Sequence, residues 1–357
     1  MKALVTGVTG QDGSYLAEFL LSRGYEVDAI VRPSSTFNRA RIEHIYIEVQ
    51  KNPALRLHYG DLVDSSQLTN MIRTIRPDEI YHLGAQSHVK TSFDLPEYTG
   101  NVTGIGPVRI LESIRHSGIR TRFYQASSSE MFGSSLSPQN EATPFNPRSP
   151  YACAKLHAYW MSRTYREGYG MWCSNGILFN HESPRRGPMF VTRKIVAGVA
   201  AIVAKREQYL YLGNLESQRD WGFAPEYVEL MWRILHYSKP DDFVVGTGES
   251  HSVREFAEAT FDYAGLSMDR HVKVDDRYLR PLDVSDLCAD ATKARRELGW
   301  NPRVRFRELV RVMLDSELRS LGLKPIGEGD EFLRSQFPKK WWSDDAHQTF
   351  AKHEGVY

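Results

Sequence analysis

The sequence is poor in the features that mark several large classes of protein. Its 357 residues hold three cysteines, Cys153, Cys173 and Cys288, an odd and scattered set. That excludes a disulfide framework and a zinc ribbon and suits a reducing compartment. Net charge is almost absent, since 45 Lys+Arg against 44 Asp+Glu leave +1. A chain so balanced has no field for wrapping nucleic acid or coating an acidic membrane. The longest apolar run, residues 195–204, is about half of what a bilayer crossing needs and reads as a buried helix. The 12 histidines form no H-x-x-x-H pair and have no cysteine partners at ligand spacing, so no metal is expected. No repeat or low-complexity segment is visible. The chain opens directly into a strand at Lys2, without a charged n-region and cleavage site, and a cytoplasmic location is expected.

What is present is an alternation of short apolar runs with longer amphipathic stretches. Residues 3–6, 27–31, 55–59, 80–83 and 122–126 read as buried parallel strands. Residues 15–23, 66–74, 108–116 and 152–169 read as the helices between them. The pattern predicts an α/β fold of the Rossmann type, a doubly wound parallel sheet with ligands at the carboxyl ends of its strands. After about residue 180 the rhythm loosens, and loops at 183–189 and 216–222 are rich in Arg, Pro and Gly. The expected organisation is an NADP-binding Rossmann domain over 1–180 and a smaller C-terminal α/β substrate-binding lobe over 181–327, with segments returning to the first domain. A tail over 328–357 has no assigned role. Its Lys339, Lys340, Trp341 and Trp342 read as packing on the domain rather than as a nucleic-acid patch, given the neutral charge.

Two motifs carry chemistry. The first strand runs into Gly7-Val8-Thr9-Gly10-Gln11-Asp12-Gly13 and then a helix. Gly7 permits a tight turn, Gly10 lets the backbone approach a pyrophosphate, and Gly13 allows close helix–strand packing. The helix N-terminus then offers unpaired N–H groups to the phosphates. An acid binding the ribose diol of NAD belongs about 20 residues later, at the end of the second strand. Asp28 sits too early for that, inside the strand. Arg32 and Ser35 stand at the strand end instead, with Arg39 and Arg41 nearby, and suit the 2′-phosphate of NADP. Asp61-Leu62 after the third strand and Leu83-Gly84-Ala85 after the fourth would line the cofactor.

The second motif is Tyr151-x-x-x-Lys155, opened by Ser149-Pro150 as helix cap and first residue. The two side chains share a helix face one turn apart. A phenol with an ordinary pKa near ~10 is a poor base, and an adjacent ammonium is expected to lower it. Upstream, Ser127-Ser128-Ser129-Glu130 follows the fifth strand, where a hydroxyl can share a substrate alcohol with Tyr151.

With these residues the chain resembles the extended short-chain dehydrogenase/reductase superfamily and, within it, the GDP-mannose 4,6-dehydratase family. The resemblance is carried by Thr6 to Leu16, Gly84-Ala85-Gln86-Ser87-His88-Val89, Arg148-Ser149-Pro150-Tyr151 and Asn175-Gly176-Ile177-Leu178-Phe179-Asn180-His181-Glu182-Ser183-Pro184-Arg185-Arg186-Gly187. Arg219-Asp220-Trp221-Gly222 and the run around Arg280-Pro281 extend it to roughly residues 1–320.

The resemblance implies oxidation of GDP-mannose at C4, elimination of water across C5 and C6, and return of the hydride to C6. Ser128, Glu130, Tyr151 and Lys155 would be catalytic, with Glu130 removing the C5 proton and then protonating the departing C6 hydroxyl. The implied cofactor contacts are Gly7, Thr9, Gly10, Gln11, Asp12, Gly13, Arg32, Ser35, Asp61, Leu62, Leu83, Ala85, Ser87, Tyr151 and Lys155. Ser87, Ser128, Glu130, Asn180, Lys194, Arg219, Arg280 and Asp283 would meet the substrate, and a homodimer or homotetramer is implied. The chain departs from the family pattern at Ser128 (usually Thr), Pro33 (commonly Arg), Asp283 (usually Glu) and Cys153 (a small residue). His181 and Glu182 are expected to shape a loop. Rival readings are a dehydratase of another GDP-hexose or GDP-heptose, a nucleotide-sugar epimerase or reductase, and a non-catalytic cofactor-sensing protein.

Overall fold

The computed structural model describes residues 1–49 and 53–344, so the last part of the tail lies outside the described residues. The strands are β1 (Lys2–Thr6), β2 (Glu26–Val31), β3 (Leu55–Tyr59), β4 (Glu79–His82), β5 (Arg122–Ser128), β6 (Trp172–Leu178) and β7 (Asn180–Glu182). They continue as β8 (Leu210–Leu212), β9 (Gln218–Phe223), β10 (Asp242–Val245), β11 (Ser250–Ser252), β12 (Val272–Val274) and β13 (Asp286–Leu287). Seven of them form one sheet in the order β10-β6-β5-β4-β1-β2-β3. Every neighbouring pair in it is parallel.

The central strands are buried on both faces, and their alternation divides the core. Ala3 and Val5 join one apolar cluster, with Phe19 and Val228, while Leu4 joins another, with Ile72, Ile110 and Phe123. Helices Gln11–Ser22 and Ala224–Leu235 pack together on the first face, and Ser65–Ile75, Gly106–Ser117 and Pro150–Tyr169 cover the second. This is the doubly wound arrangement expected of a parallel sheet whose crossovers are helices. The order reverses between β1 and β4, and a crevice opens at their carboxyl ends.

The chain beyond residue 180 does two things. It supplies β10 to the edge of the main sheet, and it builds a smaller sheet in which β9 pairs with β7, β11 and β13. Residues 191–203 form the buried helix expected from the apolar run, with Ile195, Val196 and Val199 inaccessible to solvent. The described part of the tail packs on the body: Trp342 is buried, and Trp341 meets Phe19 edge-on at 5.0 Å.

Candidate active site

The crevice is framed first by backbone. Thr6, at the end of β1, accepts hydrogen bonds from the N–H groups of Leu83 (3.2 Å) and Gly84 (3.0 Å), pinning the loop after β4. Its hydroxyl also lies 2.9 Å from His82 Nδ1. Burial, with the charge of Lys155, pushes His82 down to about 3, so the ring is neutral and Nδ1 can accept the hydroxyl proton.

Two glycines of the cradle have distinct duties. A Cβ on Gly13 would lie 2.2 Å from Gly7 O, so only glycine fits where the helix meets the turn. At Gly10 the nearest atom a Cβ would meet is Gly7 O at 3.2 Å, which leaves the approach from the crevice open. Gly10 is the N-cap of helix Gln11–Ser22 and brings no side-chain hydrogen bond to it. The leading N–H groups of that helix therefore face an open approach, which fits the diphosphate of a dinucleotide.

The rim beyond the cradle is arranged as follows. Asp28 is buried in β2 and bonded to Arg56 and His58, so it is not at the strand end. Arg32 is at that end and donates to the Tyr98 hydroxyl at 2.7 Å, beside exposed Ser35. Arg41 turns inward, donating to Thr9 O at 3.3 Å and Arg185 O at 2.7 Å, and so braces the cradle loop from behind. Asp61 accepts from Val63 N at 3.1 Å, ordering the turn that carries buried Leu62. Leu83 and Ala85 are half-buried after β4, and Ser87 is exposed.

The chemistry-bearing groups gather at the end of β5. Tyr151 and Lys155 both lie buried on the Pro150–Tyr169 helix, which Ser149 caps through a bond to Ala152 N at 3.1 Å. Lys155 Nζ donates to Ala126 O at 2.6 Å and stands 5.9 Å from the centre of the Tyr151 ring. Burial pushes the Tyr151 phenol up to about 12, against a lowering hydrogen bond with Ser128. The direction is opposite to the one expected from the helical pair. The ammonium is turned to a backbone carbonyl, and burial also brings Lys155 itself down to about 8. Ser128 additionally accepts from Glu130 N at 3.3 Å, which folds Glu130 back over the strand end.

Glu130 connects this group to the second half of the chain. Arg280 Nη1 lies 4.0 Å from Glu130 Oε1 and 3.5 Å from Asp283 Oδ1. Asp283 accepts from Ser217 at 2.7 Å and Asn214 at 3.1 Å, and lies 3.4 Å from Arg219. Burial opposes ionisation of Asp283, but Arg280 and Arg219 hold it below its ordinary range. Arg219 is buried and already donates to Gln218 O and Val284 O, which fixes its guanidinium at the rim. Lys194 packs over Tyr278, its Nζ 3.1 Å from the ring centre. Asn180 is half-buried where β7 begins, opposite Trp221 of β9.

Sequence reasoning gave no chemical role to several residues that shape this site. His181 bonds Asp12 at 2.8 Å, and Gln11 reaches His181 O at 3.0 Å, tying the cradle to β7. Arg186 pairs with Glu182 at 3.0 Å and lies over Phe190 at 3.6 Å. Fully buried Arg185 lies over Tyr15 and pairs with Glu18 at 2.8 Å. The run Asn180 to Gly187 was the available signal, but its partners lie far away in the chain.

Comparison with known proteins agrees with this geometry. A family model described as GDP-mannose 4,6 dehydratase matches residues 4–313. GDP-mannose 4,6 dehydratase 1 of Arabidopsis thaliana is 53% identical over 322 residues, covering 88% of this chain and 89% of that protein. The Homo sapiens GDP-mannose 4,6 dehydratase is 51% identical over 349 residues, covering 90% and 93%. Among solved structures, UDP-glucose 4-epimerase of Thermus thermophilus, in complex with NAD, superposes with a TM-score of 0.76 at 26% identity, covering 89% of this chain and 99% of that one. The similarity spans the cradle, the Tyr151–Lys155 helix and the lobe that presents Arg219 and Arg280, and the chain belongs to the GDP-mannose 4,6-dehydratase family.

Proposed function

We propose that this protein converts GDP-D-mannose to GDP-4-dehydro-6-deoxy-D-mannose and water. The observation that carries the reading is Glu130, a carboxylate folded over the end of β5 beside the Ser128–Tyr151 pair. A plain alcohol dehydrogenation has no use for a base there, whereas an elimination does.

The cradle residues Gly7, Thr9, Gly10, Gln11, Asp12 and Gly13, with Asp61, Leu62, Leu83, Ala85 and Ser87, would hold a nicotinamide dinucleotide. Such a group supplies a hydride acceptor for C4, a hydride donor for C6 and a positive charge. Tyr151, hydrogen-bonded to Ser128, receives the C4 hydroxyl proton as the ketone forms. Burial disfavours the phenolate that this requires, and Lys155, together with the positive charge of a bound dinucleotide, would offset that cost. The 4-ketone acidifies C5, and Glu130 removes that proton to give a stabilised enolate. Glu130 then donates the proton to the leaving C6 hydroxyl, which departs as water. Tyr151 gives up the proton it took, by way of exchange with solvent, as C5 is reprotonated and the C6 methyl group is completed, so both side chains end as they began. Lys194, Arg219, Arg280, Asn180 and Asp283 would bind the nucleotide part, for which fixed cations suit a diphosphate.

We infer NADP as the preferred dinucleotide. In support, Asp28 is committed inside β2, while Arg32 and Ser35 occupy the strand end. We also infer a homodimer or homotetramer located in the cytoplasm. In support, Leu95, Tyr98 and Ile105 are exposed on segments that pack against the Pro150–Tyr169 helix, and the three cysteines are free thiols. Light scattering reads the first, and a monomer would reject it.

The decisive experiment uses GDP-mannose deuterated at C4, with no added reductant. The expected product is a 4-keto-6-deoxy sugar nucleotide with deuterium in its methyl group. A product whose methyl group carries none of the label overturns the mechanism.

A further inference from the structure

The helix that would receive a diphosphate carries an acid in its first turn. Asp12 is the second residue of Gln11–Ser22, where an uncompensated carboxylate opposes the attraction of the helix terminus for a phosphate. His181 faces it from β7. His181 Nε2 lies 2.8 Å from Asp12 Oδ2, and His181 Nδ1 lies 2.7 Å from Phe179 O. A backbone carbonyl can only accept, so Nδ1 carries a proton. An ionised carboxylate also only accepts, so Nε2 carries one too. A ring that donates from both nitrogens is an imidazolium. Gln11 Nε2, 3.0 Å from Asp12 Oδ1, can donate to either form of the carboxyl group. The ion pair is favoured over a neutral ring facing a protonated Asp12 because each partner's charge holds Asp12 below and His181 above its ordinary value.

The surroundings are mixed in charge. Arg186 opposes the imidazolium but is itself paired with Glu182, the next residue of β7. The Tyr227 ring, on Ala224–Leu235, stacks on His181 at 4.5 Å. Lys155, Tyr151 and Tyr124 feel Asp12 from the Pro150–Tyr169 helix and β5. Burial alone would lower His181, but the charge and hydrogen bond of Asp12 raise it above its ordinary value.

We propose that His181 is a positioning residue that holds Asp12 as half of a neutral pair, so that the dinucleotide's diphosphate meets an uncharged first turn. Loss of the imidazolium proton restores the carboxylate's charge and weakens binding. The inference rests on the reading that this cradle binds a nicotinamide dinucleotide. It also assigns a role to a histidine the catalytic steps do not use.

The test is calorimetric titration of the full chain with NADP and with NAD from pH 6 to 9. Wild type, His181→Gln, Asp12→Asn and the double variant are compared. Wild-type affinity is expected to fall about tenfold with rising pH, the scale of one partly buried charge at a helix N-terminus. His181→Gln should bind about tenfold more weakly at pH 6, with the fall abolished. Asp12→Asn should also lose the fall, and at pH 6 the double variant should bind more tightly than His181→Gln and within about threefold of Asp12→Asn.

A flat wild-type profile overturns the proposal. So does a double variant as weak as His181→Gln, or a fall that persists unchanged in Asp12→Asn and so belongs to Lys155. If His181→Gln does not fold, the Asp12→Asn profile decides alone. Wild type that binds neither dinucleotide at any pH rejects the functional reading and the inference together, which distinguishes the two failures.

Discussion

The two ends of the seven-stranded sheet are built from similar residue types and put them to opposite use. At the amino end, Asp242 opens β10 and is buried. It takes two bonds from Arg166 at 2.8 Å, one from Asn175 at 2.8 Å and one from Tyr159 at 3.2 Å. Glu79 opens β4 and is likewise held by Tyr81 at 2.8 Å and His236 at 2.9 Å. At the carboxyl end, the ion-pair partner of Glu130 among the described residues is Arg280, at 4.0 Å. Saturated networks fix a structure. Partly satisfied ones leave lone pairs and protons free to meet a substrate, at some cost in stability.

The contrast can be broken from either side. Tyr151→Phe removes the group proposed to take the C4 proton, and turnover of GDP-mannose should fall by about 10³-fold with the fold intact. Retained turnover would mean another base acts. Glu130→Gln should lower dehydration by about 10²-fold while oxidation at C4 continues, followed by the absorbance of the reduced nicotinamide. Normal water loss would remove Glu130 from the mechanism.

At the other end the effect should appear in stability instead. Asp242→Ala strands the Arg166 guanidinium and should cost about 3 kcal/mol in chemical denaturation, with turnover of the folded fraction unchanged. Burial raises the Asp242 pKa, but Arg166, Asn175 and Arg163 together outweigh it and the folded value lies below 3.8. Its contribution is therefore complete above that pH and lost as pH falls through the lower folded value. Acid melting curves of Asp242→Asn should lack that component. The smallest effect belongs to Ser128→Thr, which keeps the hydroxyl and restricts its rotamers; turnover should change by no more than about threefold. A larger loss would show that the serine's freedom is used.

Local signals made much of this legible. The cradle, the five strands over residues 3–126 and the Tyr151–Lys155 helix follow from glycine spacing, apolar runs and a Ser-Pro cap. So does Glu130's place at a strand end. What escaped depends on pairings between distant parts of the chain. His181 meets Asp12, Arg185 meets Glu18 and Arg41 reaches Thr9, and no spacing rule foretells such contacts. The direction of the Tyr151 shift escaped for another reason. Helical adjacency gives the proximity of Lys155, but not the burial of both groups or the turn of the ammonium toward Ala126.

The position of β10 also bears on how the molecule is made. Among the described residues, the edge of the main sheet at β6 is covered by a strand that begins at residue 242. During synthesis the first six strands emerge well before their cover, with the backbone groups of β6 exposed and open to pairing with another nascent chain. The later half of this polypeptide thus acts as an internal guard against aggregation, and a version shortened before Asp242 should precipitate rather than persist as a smaller nucleotide-binding unit.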